Sequence, residues 1–340
     1  MKKHCFMLAA ALSFSMVLCA CGTSNGKASQ GSDAGTEEKS AETGESTWEP
    51  KGEVSFIVCS SAGGGSDIYT RKMIEIMNGE GISNANFIVK YMTDGGGETG
   101  RQYVADARKG DEVLVAMEYG GFANMLLNTG YRIENFRPIA VVAEECQILL
   151  AKPDGKYASV DAAIEAAKGG TTVSVAGSGQ ADDQMYQLMK DAFGLDETNF
   201  TYIRCSSTSD AITSTLGGHS DFVLARASAC ISYVESNDLK PIVALQEERF
   251  EGVLDCPTIG ELGYGDIKVP LWRGVCGPKS MSDEAYAYYC DIFKKMAESS
   301  RWQTEYCDQY QAIKIEDIGE DAVTYMTDAQ TTYLETHTEQ

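Results

Sequence analysis

An α/β fold with largely parallel sheets follows from three features of the sequence. Apolar runs of strand length alternate along most of the chain with stretches of helical periodicity. Three of those runs empty into glycine-rich turns, around Gly63-Gly64-Gly65, Gly95-Gly96-Gly97 and Gly177-Ser178-Gly179, each followed by a helical stretch. The body, roughly residues 50 to 340, is long for one compact domain and comfortable for two.

Taken in order, Met1-Lys2-Lys3 and the apolar run from Phe6 to Ala20 have the layout of a secretory signal peptide, too short to span a bilayer. Leu18-Cys19-Ala20-Cys21 resembles the bacterial lipobox, which makes Cys21 the expected lipid anchor and residues 1–20 the part removed. From Gly22 to Glu49 the chain is Gly, Ser, Thr, Ala and Glu with almost nothing large and apolar, so residues 21–49 are expected to be a disordered acidic tether.

In the body, Val54 to Val58 reads as a buried strand, and Tyr69, Met73, Ile76 and Met77 mark one face of the helix after the first turn. Phe87 to Tyr91 is the next strand, ending in Thr93-Asp-Gly-Gly-Gly-Glu-Thr-Gly100, a helix through Val104, and the strand Val113 to Met117. Ile139 to Ala143 and Gln147 to Ala151 form one long extended segment interrupted by Glu144-Glu145. Ser159 to Gly170 is a helix with a serine cap and a glycine stop. The strand Thr172 to Ala176 opens into the third turn and a helix from Ala181 to Phe193. Phe200 to Arg204, Asp221 to Ala225, Lys240 to Leu245 and Leu271 to Cys276 are further strands, with helices near Ile212 and Tyr233. The chain finishes in helices from about Ser282 to Ser299 and Asp321 to His337.

The formal charge is −22, and becomes −24 once the two lysines of the leader are lost, which argues against nucleic acid or an anionic membrane surface as a partner. An anionic small ligand stays open, because bulk charge is screened over about 8 Å at physiological salt while backbone donors act at contact distance. Eight of the eleven cysteines lie beyond Cys21, none in a C-x-x-C pair, and are expected mainly as small buried hydrophobes with at most one bridge. Past the leader only His219 and His337 remain, too few and too isolated for a metal site or a His-based catalytic set.

A glycine-rich turn at a helix start suits an anion: glycine admits φ > 0 and close approach, and the first helical amides have no intrahelical acceptor. No Gly-Lys-Ser/Thr follows any of the three turns, which excludes P-loops. Their order along the chain is Gly63-Gly64-Gly65-Ser66-Asp67 with Arg71; Asp94-Gly95-Gly96-Gly97 with Gly100; and Gly177-Ser178-Gly179. Around them stand Phe136-Arg137-Pro138, Leu216-Gly217-Gly218 with Asp221, Pro257-Thr258 with Glu261, and Trp272-Arg273-Gly274 with Pro278. This set resembles the substrate-binding proteins of tripartite tricarboxylate transporters, the Bug receptors, from about residue 51 into the last helices.

The resemblance implies a two-lobe type II periplasmic-binding-protein fold, each lobe a mostly parallel sheet flanked by helices and joined by crossing strands. It assigns 50–146 plus 263–340 to one lobe and 147–262 to the other. It implies no catalysis and no cofactor, but capture of a small carboxylated solute for membrane permease subunits, by an extracytoplasmic protein held to the membrane through its lipid alone and expected to be a monomer. Carried over by motif, the carboxylate loops fall on Gly63 to Asp67, Gly95 to Gly97 and Ser178 to Gln180, with Gly179 between. Cys59-Ser60, Tyr91-Met92-Thr93 and Cys205-Ser206-Ser207 depart from the family pattern, which touches the pocket walls more than the cradle. A solute sensor signalling to a membrane receptor is the alternative within binding proteins. An exported hydrolase is a third reading, opposed by the absence of a G-x-S-x-G elbow.

Among individual residues, Asp67 and Arg71 stand one turn apart, so helix support outranks ligand contact for Asp67. Asp182 and Asp183 sit at a helix start, either turned away from a bound anion or facing an amino group on it. Arg226 directly follows an apolar strand and is the arginine expected to face the cleft, with Tyr119 and Gly120 walling it; Trp272 is expected in packing between lobes.

Overall fold

The computed structural model describes residues 48–265 and 267–337, so the signal peptide, Cys21 and most of the tether lie outside the described residues. The tether's far end is described: Trp48 packs edge-on against Tyr288, with ring centroids 5.4 Å apart, and against Tyr289 at 5.8 Å.

In chain order the first elements are β1 (Glu53–Val58), α1 (Gly65–Gly79), β2 (Asn86–Tyr91), α2 (Glu98–Ala105), β3 (Val113–Glu118), α3 (Tyr119–Asn128) and β4 (Phe136–Glu145). There follow β5 (Gln147–Ala151), α4 (Val160–Lys168), β6 (Val173–Ser178), α5 (Gly179–Phe193), β7 (Phe200–Cys205), α6 (Thr208–Leu216), β8 (Phe222–Arg226), α7 (Ala227–Glu235) and β9 (Lys240–Leu245). The last part holds β10 (Leu271–Pro278), α8 (Asp283–Glu298), α9 (Ser300–Trp302), a π-helical turn at Gln303–Cys307, α10 (Asp308–Tyr310), β11 (Ile313–Ile318) and α11 (Glu320–His337).

Two open sheets result, a six-stranded one in the order β11-β4-β10-β3-β1-β2 and a five-stranded one in the order β7-β6-β8-β5-β9. Within each, four strands share a direction. The others run against them: β10 and β11 in the first sheet, β5 in the second. Strands β4 and β5 are separated only by Cys146, so one extended segment carries the chain from the first sheet to the second.

Local chemistry explains the elements. β1 is buried from Val54 to Val58, as a strand covered on both faces must be, and reads as a continuous apolar run. Helix α1 buries Tyr69, Met73, Ile76 and Met77, its apolar stripe. Ser159 caps α4 by accepting from the amide of Ala162, and Gly194 ends α5 in the left-handed region at φ 62°. Helix α3 and strand β11 went unread in the sequence. Two glycines in the first turn of α3 mask its periodicity, and β11, Ile-Lys-Ile-Glu-Asp-Ile, is a short edge strand only partly buried.

One continuous apolar core draws on both sheets, joining Val115, Met117 and Phe122 to Val175, Met185 and Tyr186. Trp272, fully buried, is in it, edge-on to Phe122 at 5.2 Å. Helix α3 of the first sheet therefore packs on α5 of the second, and Tyr119 donates from its hydroxyl to Gln184 Oε1 at 2.9 Å. All eight described cysteines are free. Burial pushes the thiols of Cys146, Cys230, Cys256 and Cys307 up to about 12, as inert hydrophobes require.

Candidate functional site

The first and third glycine turns are built alike. In the first, the Asp67 carboxylate folds back so that Oδ2 accepts from the amide of Gly63 at 2.8 Å, while Oδ1 accepts from Arg71 Nε at 2.8 Å and the Tyr91 hydroxyl at 2.7 Å. In the third, Asp182 Oδ2 accepts from the amide of Ser178 at 2.7 Å and Oδ1 from Gln147 Nε2 at 2.7 Å. In both, an acid four residues on locks the loop and leaves the helix start itself without a side-chain cap. The first-turn amides of α1, at Gly65 and Ser66, and of α5, at Gly179 and Gln180, thus have no side-chain acceptor among the described residues.

Glycine is required at particular points of these turns. Gly63 and Gly179 sit at φ 77° and 70°, and a Cβ on Gly177 would lie 2.7 Å from the Tyr202 hydroxyl and 2.8 Å from Asp182 Cβ.

The second turn and the start of α3 differ. In the second turn, the amides of Gly97, Glu98, Thr99, Gly100 and Arg101 donate to backbone carbonyls of Thr93 to Gly97, leaving the exposed Gly95 and Gly96 outermost. At α3 the site is filled from within: Glu118 accepts from the amides of Gly120 at 2.8 Å and Gly121 at 2.7 Å. The Gly120 amide is therefore already engaged, while Tyr119 is buried and directed at α5.

A buried polar belt joins the two built turns. At the end of β4, Glu145 is 2% exposed; it pairs with Arg273 of β10, and its Oε1 accepts from the Tyr306 hydroxyl at 2.8 Å. The π-turn aims that hydroxyl: Trp302 stacks on Tyr306 at 4.4 Å and anchors by donating from its indole to the Val142 carbonyl. A register shift between Arg273 and Gly274 against β4 turns the Arg273 guanidinium toward α1, where a Cβ on Gly65 would meet its Nη2 at 2.8 Å. On the second sheet, Arg226 at the end of β8 is paired in register with Gln147, and its Nη2 lies 3.6 Å from Asp182 Oδ1. On the first, Glu98 Oε1 accepts from Arg101 Nη2 at 2.7 Å and Asn124 Nδ2 at 2.6 Å.

Burial opposes ionisation of Glu145, but Arg273 and then Arg226 outweigh it and hold its carboxyl below the usual glutamate range. At Asp182 the balance falls the other way, and burial raises the carboxyl against the pull of Arg226 and the Ser178 amide. Several buried polar atoms of the belt have no partner among the described residues: Arg226 Nε, Arg273 Nε, Gln147 Oε1 and Glu98 Oε2. Such atoms are costly unless something else satisfies them.

Asp182, Arg226 and the turn at Ser178 to Gln180 thus share one region with Gly65. Elsewhere, Arg204 is half-exposed and pairs with Asp183 at 3.4 Å, and His219 is exposed. Among the described residues no group of three or more His, Cys, Asp or Glu is arranged to hold a metal. Sequence reading missed Glu98, Arg101, Glu118, Glu145 and Gln147. The signal available was Glu144-Glu145, two acids in an otherwise apolar run, which marked a break but not a partner.

Comparison with known proteins agrees with this architecture. The profile described as "Tripartite tricarboxylate transporter family receptor" matches residues 84–325. The chain is 23% identical over 236 residues to the protein BugT of Bordetella pertussis, covering 68% of this chain and 72% of that one. Among solved structures it resembles the periplasmic binding protein BugD, with a TM-score of 0.75 at 21% identity over 86% of this chain and 98% of that one. It also resembles MatC from Rhodopseudomonas palustris with bound malate, with a TM-score of 0.70 at 20% identity over 83% and 98%. A third similar structure is an R. palustris protein with adipate, with a TM-score of 0.73 at 17% identity over 84% and 96%.

Proposed function

The chain belongs to the tripartite tricarboxylate transporter receptor family, and from that premise we propose that it is an extracytoplasmic lipoprotein capturing a small carboxylated solute between its two lobes. It is a receptor and not an enzyme. Anchored at Cys21, it hands the solute to membrane permease subunits. No helix among the described residues is long and apolar enough to cross a membrane.

The observation that carries the reading is the matched pair of uncapped helix starts at Gly65–Ser66 and Gly179–Gln180, linked by a belt holding two guanidinium nitrogens without partners. Backbone amides and a guanidinium are the donors a carboxylate takes, each charge-assisted bond contributing about 1.5 to 3 kcal/mol. Four such bonds total about 6–12 kcal/mol, and at the upper end, less an association cost of about 4 kcal/mol, they allow an affinity near micromolar, about −8 kcal/mol. In this reading Gly63, Gly64, Gly65, Ser66, Ser178, Gly179 and Gln180 form the cradle, Gly95, Gly96, Gly97 and Tyr119 flank it, and Asp67 and Asp182 hold the turns in shape. Two similar structures hold malate and adipate, both dicarboxylates, which supports the acid class.

A thermal-shift screen across di- and tricarboxylates, aromatic acids and acidic amino acids tests it. At a hundred times its dissociation constant a true ligand adds about 2.7 kcal/mol of stability, or roughly 5–10 °C for a chain of this size. A panel in which no acid raises the melting temperature overturns the reading.

A further inference from the structure

We propose that Gln311 is a positioning residue for solute capture: it clasps the two sheet-bearing halves of the chain at the angle that brings the starts of α1 and α5 to one site. Only its effect on capture depends on the receptor reading; the clasp itself stands on geometry. The chain crosses between the halves twice, at Cys146 and again between β9 and β10. Two crossings leave one half free to turn against the other, as in hinge closure. Contacts at further points fix the angle. Near the glycine turns α3 packs on α5, and Tyr119 bonds to Gln184.

The segment from α9 to β11 joins the halves at a second place. Its first part is fixed to the first sheet: Trp302, Tyr306 and Cys307 are buried in the core that holds Val54, Phe56 and Val142. The π-helical turn aims the Tyr306 hydroxyl at Glu145, the residue before the first crossing. Tyr310 then packs against that core and also against the core of the second sheet, which holds Cys146, Ile148 and Val223. Beyond it Gln311 reaches across: its side-chain amide donates from Nε2 to the Glu251 carbonyl at 3.0 Å and accepts at Oε1 from the Glu251 amide. Phe250 and Leu254, both buried in the core of the second sheet, hold the Glu251 backbone in place. The clasp therefore ties two packed bodies across 60 residues of chain.

Backbone conformation singles out the same residue. Gln311 ends α10 at φ 49°, in the left-handed region, a helix-end position that suits glycine or asparagine and is disfavoured for longer side chains. Such a residue persists only where its surroundings over-determine it. Glycine or asparagine would end α10 more easily, yet glycine has no side chain and asparagine is one methylene too short to make both bonds to Glu251. The longer amide serves the clasp and not the helix end.

Single-molecule energy transfer reads the angle in the full chain without solute, between dyes placed through non-canonical residues at the exposed Lys168 of α4, on the second sheet, and Lys294 of α8, on the first. Gln311→Gly and Gln311→Asn both suit the left-handed backbone and delete the clasp. Their melting temperatures should therefore stay close to the wild type, while the population with displaced halves rises by about fivefold or more, the lower end of coupling between separate sites. Calorimetric titration with malate, adipate or the acid of the thermal-shift panel that binds should show the apparent dissociation constant rising by the factor by which the competent population falls. Wild-type distances in both variants overturn the inference, and with a lowered melting temperature they reduce Gln311 to a stabilising contact. Displaced halves with unchanged affinity overturn it equally. If no acid binds the wild type, the receptor reading falls and the distances still decide the clasp.

Discussion

Replacing Arg273 by Met tests whether the buried Arg273–Glu145 charge pair is a working part of the fold. The variant keeps the length of the side chain and removes the cation beside Glu145, which is 2% exposed and then has the Tyr306 hydroxyl and the more distant Arg226 for company. Breaking a buried pair from one side costs about 3–5 kcal/mol, because the remaining charge stays desolvated. For a chain of this size that lowers the melting temperature by roughly 6–15 °C near neutral pH. The pH dependence carries the sharper test. In the wild type the Glu145 carboxyl is held below its ordinary value of 4.5, so its stabilisation is fully present above that pH and is lost as the pH falls below it. In the variant burial dominates and the carboxyl moves above 4.5, so that taking up a proton relieves the variant as the pH falls. The gap between the two proteins should therefore narrow by up to about 1.4 kcal/mol per pH unit on the acid side, followed by circular dichroism melts from pH 7 down to pH 5. The double variant Arg273→Met with Glu145→Leu should recover most of the loss. A deficit under about 1 kcal/mol, a gap that does not move with pH, or a double variant no better than the single one refutes the reasoning.

Two further substitutions probe the turns. Gly177→Ala forces a methyl to within 2.7 Å of the Tyr202 hydroxyl and 2.8 Å of Asp182 Cβ, so it should cost about 1–3 kcal/mol and weaken ligand binding; a wild-type melt would show the turn has room to spare. Asp67→Ala removes the acceptor of the Gly63 amide, Arg71 and Tyr91 and should cost about 1–3 kcal/mol. Lost binding with an unchanged melting temperature would instead make Asp67 a ligand contact.

Much of the architecture was legible because it is local. The stripe Tyr69, Met73, Ile76 and Met77, the Ser159 cap and the apolar run of β1 act within a turn or two of backbone, and all are met in the structure. The three glycine turns were equally visible, and so was the support of Asp67 for its own helix, since Gly63, Asp67 and Arg71 lie four residues apart. Even here, local reading treated the turns as equivalents. It had no means of showing that the second closes on its own carbonyls and that Glu118 fills the start of α3.

By itself, then, the sequence determined an α/β chain with anion-suited helix starts, because periodicity, caps and glycine turns are properties of neighbours along the backbone. Only the tertiary structure decided what surrounds those starts. Glu145 meets Arg273 across 128 residues and Tyr306 across 161, and Gln147 meets Asp182 across 35. Whether a charge is a surface ornament or a member of a buried network depends on burial and on which strands the topology lays side by side. No spacing in the sequence encodes that, and it is what brings Glu145, Arg273, Gln147 and Asp182 into one buried polar network beside the helix starts.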